Sequence, residues 1–107
     1  MSTQGIVTVL SNNEVVMKFI TGSDGYYAQS LANELKNRWP LGIEDAYDLA
    51  NSIGFGSFDS LVVMTSDSIE YRGYEEIKDD YRFTFNQAEF NPRWECGIAD
   101  YTILIHV

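Results

Sequence analysis

The chain has 107 residues, close to the commonest size of a single domain, and carries a formal net charge of −9. Its hydrophobic fraction of 45% and aromatic fraction of 14% supply a core and exclude an acidic disordered tail. The charge opposes direct binding to nucleic acid or to an anionic membrane and favours a basic protein surface as partner.

Ile6–Leu10 is an apolar, β-rich run, and Glu14–Thr21 is a second. Ser11-Asn12-Asn13 separates them, and asparagine tolerates the positive φ that a tight hairpin turn requires. An N-terminal β-hairpin follows. In its second strand Val15, Met17 and Phe19 alternate with Val16, Lys18 and Ile20. Both faces are largely apolar, which predicts a central strand or one partly covered on both sides.

Gly22-Ser23-Asp24-Gly25 breaks the strand, with Ser23 or Asp24 available to cap a helix. Tyr27, Leu31 and Leu35, flanked by Ala28 and Ala32, form one apolar helical face that runs to about Trp39, where Pro40 stops it. A second helix is predicted over Ile43–Ile53. Ile43, Ala46, Tyr47, Ala50 and Ile53 form its buried stripe, and Glu44, Asp45, Asp48 and Asn51 its wet face. Acids in its first turn suit the helix dipole, and Gly54 suits the position after its end.

Ser60–Thr65 reads as a strand and Ser66-Asp67-Ser68 as a turn. Residues 68–80 read as a short strand followed by an exposed loop. Tyr81–Asn86 alternates aromatic with polar residues, as a half-buried strand does. Asn91-Pro92 is a turn, Trp94–Ile98 a further strand segment, and Tyr101–Val107 a strand with Tyr101, Ile103, Ile105 and Val107 on one face. The expected fold is α+β, of order ββ-αα-β(β)-ββ(β), with an antiparallel-rich sheet and two consecutive helices on one face. Leu31, Leu35, Ala50, Phe83, Ile103 and Ile105 are expected in the core. No linker, repeat or low-complexity tract divides residues 1–107, so one globular domain is expected.

The lone Cys96 excludes an intrachain disulfide. The N-terminus lacks the basic and long apolar stretches of a signal peptide, and no apolar run approaches a membrane span, which makes the cytoplasm the expected location. Glu95 beside Cys96 opposes thiolate formation. His106 reads as a residue of the sheet surface. Gly54-Phe55-Gly56 departs from a dinucleotide fingerprint, because Asp59 stands at the third glycine position and a helix precedes it. No nucleophile–base set, calcium loop or metal-ligand spacing appears, so neither an enzyme, a metal site nor a cofactor is expected.

The acids are uneven. Residues 54–107 hold ten acids against four bases, a net of −6, and residues 1–53 hold six against three, a net of −3. Within 67–80 stand Asp67, Glu70, Glu75, Glu76, Asp79 and Asp80, with Tyr71 and Tyr74 between them, against Arg72 and Lys78. This cluster reads as a solvated loop, as a cation site that lacks the spacing of a calcium loop, or as a binding surface for a basic partner, in which charge steers the encounter and the tyrosines supply contact area. A second reading places a small-molecule pocket near Asp24 and Tyr26, with a carboxylate and a phenol at a helix start.

Asp24-Gly25-Tyr26, set between a β-hairpin and an amphipathic helix, resembles a motif of small phage and bacterial proteins of undefined function. Their motif has an aromatic or His-Trp pair before Asp-Gly-Tyr and Pro after it; this chain has Gly22-Ser23 and Tyr27 at those places. The resemblance covers about the first third of the chain and implies a phage or mobile-element origin. In charge and size, though not in motif, the chain is similar to acidic phage inhibitors of DNA-mimic and anti-CRISPR type. The expected function is therefore a non-enzymatic acidic interaction protein that binds a basic or nucleic-acid-binding host protein, with inhibition of that protein as the sharper form of the reading.

Overall fold

The computed structural model describes residues 3–56, 61–65, 69–71 and 99–107. Strands β1 (Gly5–Ser11) and β2 (Glu14–Thr21) form the expected hairpin. Its two turn residues, Asn12 and Asn13, have φ of 52° and 65°, the pair of positive values that matches a tight turn to the strand twist. After it come helices α1 (Ala28–Arg38) and α2 (Ile43–Ile53), then strands β3 (Leu61–Met64), β4 (Ile69–Tyr71) and β5 (Tyr101–His106). The sheet order is β4-β3-β2-β1-β5. Three of its pairings are antiparallel, and β5 runs parallel to β1. This is the expected α+β architecture.

β2 is central, as its two apolar faces predict. One face carries Val7, Val9, Met17, Phe19, Leu61, Val63 and Ile105 against Leu31 and Leu35 of α1 and Ala46, Tyr47 and Ala50 of α2. α1 lies over β1 and β5, and α2 over β3 and β4. The opposite face is buried as well, through Ile6, Ile20, Val62 and Met64. The simple alternation along β2 fails at one place. Val9 pairs with Met17 and Leu10 with Val15, which leaves Val16 as the extra residue of a bulge. Val16 therefore joins Met17 and Phe19 at the helix side, while Val15 joins Ile6 and Ile20 on the other.

α2 has the predicted limits. Glu44 and Asp45 occupy its first turn, and Gly54 closes it at φ 97°. The Gly54 N–H donates to the Asn51 carbonyl and the Phe55 N–H to the Ala50 carbonyl, a Schellman ending. That ending turns Phe55 into the core, where it is fully buried. α1 stops before Pro40, with the Trp39 N–H bonded to the Leu35 carbonyl at 2.9 Å. Trp39 packs partly buried against the core.

Two expectations for the start of α1 are corrected. Neither Ser23 nor Asp24 caps it: a 3-10 turn, Gly25–Tyr27, precedes α1, and neither that turn nor α1 has a side-chain cap. A tertiary contact fixes the turn instead, since the Gly25 N–H donates to the Thr3 carbonyl at 2.8 Å. Tyr27 also leaves the buried stripe and is 37% exposed. Three residues per turn before 3.6 per turn shifts its phase from that of Leu31 and Leu35. Along β5, Ile105 is buried and Ile103 packs on the core, but Tyr101 and Val107 at the strand ends are exposed. Of the expected core, Leu31, Leu35, Ala50 and Ile105 are buried, and Phe83 lies outside the described residues.

Candidate functional site

The acidic segment divides. Glu70 and Tyr71 lie in β4, whose backbone pairs with Val63 and Val62 of β3. Asp67, Tyr74, Glu75, Glu76, Asp79 and Asp80 lie outside the described residues, as do the strand expected over Tyr81–Asn86, the segment Trp94–Ile98 and Cys96. His106 is exposed at the end of β5, as read from its alternation.

The second expected place, Asp24–Tyr26, lies among the described residues. Three chain segments meet there. Gly25 is pressed onto the Gln4–Gly5 backbone so closely that a Cβ on it would stand 2.5 Å from the Gly5 nitrogen. Gly5 pairs with Tyr101 in the sheet, and the Tyr101 N–H donates to the Gln4 carbonyl at 3.1 Å. The Gln4 N–H in turn donates to Asp100 Oδ2 at 3.0 Å. Asp24, Tyr26, Tyr27, Asp100 and Tyr101 are thereby held at one end of the sheet by backbone contacts and by the Asp100 carboxylate.

The surface of this end is aromatic and acidic. Tyr26 is 50% exposed, Tyr101 45% and Tyr27 37%. The Tyr26 and Tyr27 rings stand 4.5 Å apart at an angle of 35°. A hydrogen bond with the Tyr27 side chain is the main cause that holds the Tyr26 phenol above its ordinary pKa, and the Asp24 charge is the smallest contributor. Asp24 occupies left-handed backbone at φ 59°, which is uncommon outside glycine but tolerated by aspartate. The described bases lie elsewhere: Lys36 and Arg38 are in the last turn of α1, at its far end, and Lys18 is in the sheet. Tyr101 and Asp100 escaped sequence reasoning, because only the parallel pairing of β5 with β1 brings them beside Gly25.

Lys18 is the other unusual feature. It is fully buried on the face opposite the helices, paired with Thr8 on one side and Met64 on the other. Burial disfavours its charged form and lowers its pKa to about 8. The signal was present in the sequence, since a lysine between Val16 and Ile20 in a two-sided strand has no wet face to use.

A groove of about 370 Å³ lies between the end of α1 and α2, lined by Arg38, Leu41, Asp45, Asp48, Leu49 and Ser52. It is separate from Asp24 and Tyr26. Arg38 is engaged there by Glu34 at 3.2 Å. No group of three or more His, Cys, Asp or Glu side chains placed to hold a metal occurs among the described residues. No helix of the described residues is long and apolar enough to cross a membrane. No family model, curated protein or solved structure matches the chain.

Proposed function

We propose that this chain is a non-enzymatic interaction protein that docks on a basic surface of another protein. The observation that carries the reading is the end of the sheet where three half-exposed tyrosines stand beside Asp24 and Asp100 in a chain of net charge −9. Tyrosine gives large contact area for little lost side-chain freedom, and flanking carboxylates select cationic partners and speed their encounter. The acid- and tyrosine-bearing segment Asp67–Asp80 extends the same chemistry along the chain. Inhibition of a nucleic-acid-binding host protein is part of this proposal. It is supported by the charge, while the resemblance at Asp24-Gly25-Tyr26 supports a phage or mobile-element origin.

Affinity capture from a host lysate at low and at high salt tests the reading. Basic proteins retained at low salt and released at high salt are the expected result, since salt shortens the range of exposed charges. Retention of acidic proteins, or retention indifferent to salt, contradicts it.

A further inference from the structure

We infer that Asp24, Tyr26 and Tyr27 form a seat for one arginine side chain of the basic partner, its guanidinium stacked on the Tyr26 ring and forked onto the Asp24 carboxylate. The inference rests on the reading of the chain as a binder of basic proteins and names the group that it grips.

Tyr27 has a structural use, because its ring lies over Gly54 at the end of α2: a Cβ there would stand 3.4 Å from Tyr27 Cε2. Tyr26 leans on that ring and leaves half of its own surface open. Tyr27 thus acts as the buttress and Tyr26 as the platform. The platform is preorganised. Gly25 is wedged on Gln4–Gly5, the Gly25 N–H bonds the Thr3 carbonyl, and the Tyr27 N–H bonds the Asp24 carbonyl at 3.3 Å. Little backbone freedom remains to be lost on binding.

The charge of the seat comes from Asp24. Its carboxylate makes no capping bond to the helix that follows, and it stands two residues before the platform in the same turn. Lys36 lies nine residues beyond Tyr27, about 14 Å along the α1 axis at 1.5 Å per residue, and no ion pair between it and Asp24 forms among the described residues. A flat aromatic face beside a carboxylate selects arginine over lysine. The guanidinium is planar, stacks on rings and donates in a fork, whereas the ammonium is a compact, strongly hydrated point charge.

The test is calorimetric titration of the full chain, at low salt, with a short peptide alternating arginine and glycine and with its citrulline counterpart. Citrulline keeps the shape and loses the charge. Tyr26→Ala and Asp24→Asn should each weaken the arginine peptide by about fivefold. Asp48→Asn, which removes the same charge from the exposed side of α2, should change it by less than about twofold. Circular dichroism confirms that each variant folds. If the arginine peptide binds but all three variants behave alike, the seat is wrong and the basic-partner reading stands. If the citrulline peptide binds equally well, stacking alone acts and the seat for a cation is overturned. If the wild type does not bind the arginine peptide, the basic-partner reading falls, and the seat with it.

Discussion

Gly5 and Gly25 meet backbone to backbone: a Cβ on Gly5 would stand 2.7 Å from the Gly25 Cα. This contact joins the first strand to the turn before α1, and it sets where Asp24, Tyr26 and Tyr27 emerge. Gly25→Ala should therefore cost about 1–3 kcal/mol through overpacking and should disturb the tyrosine pair. Gly42 has no atom within 4 Å of a built Cβ. Gly42→Ala should cost less than about 1 kcal/mol, through a weaker helix start alone. Chemical denaturation of the two variants checks the contrast, and equal losses would show that the Gly5–Gly25 contact is not tight in solution.

Leu35 is fully buried on the face of α1 that meets the sheet. Leu35→Ala should lower the unfolding free energy by about 2–5 kcal/mol, from lost transfer energy and the cavity left behind. A loss below about 1 kcal/mol in a urea titration would place the helix face elsewhere.

Lys18 gives a pH dependence with a definite sign. Its pKa falls from the ordinary 10.5 to about 8 in the folded chain. Below pH 8 both folded and unfolded chains hold the proton, and burying the charge carries its full cost. Between pH 8 and 10.5 the unfolded chain binds a proton that the folded chain has released, so this residue makes stability rise with pH. Lys18→Met should flatten that rise relative to wild type. Denaturation midpoints measured for both proteins across the window decide it, and parallel curves would mean that Lys18 does not titrate there.

The acidic segment should act mainly on association. We expect Glu75→Lys combined with Glu76→Lys to slow binding to a basic partner, and Tyr74→Ala to speed dissociation, with the fold intact in each. Surface-based kinetics at two salt concentrations separates the effects. Unchanged rates in every variant would leave Asp24–Tyr27 as the sole interface.

Much of the fold was legible because its signals are local. Asn12 and Asn13 supply the positive φ of the hairpin turn, Pro40 stops α1, and Gly54 supplies the left-handed end of α2. Each acts within a few residues of itself, as does the helical spacing of Leu31, Leu35, Ala46 and Ala50. The apolar character of both faces of β2 was enough to make it central and to force Lys18 inside.

The tertiary structure decided the rest. Nothing near Tyr101 in the sequence selects a parallel pairing with β1, and the bond from Gln4 to Asp100 spans 96 residues. The bulge at Val16 moves Val15 and Val16 to opposite faces, which alternation alone assigns the other way round. The bond from the Gly25 N–H to the Thr3 carbonyl takes the place of a side-chain cap before α1, and the 3-10 turn that it fixes carries Tyr27 out of the buried stripe. Periodicity and turn chemistry set which elements form. The aromatic and acidic end of the sheet exists only because distant strands must pair and pack to bury their apolar faces, and no short stretch of sequence contains that requirement.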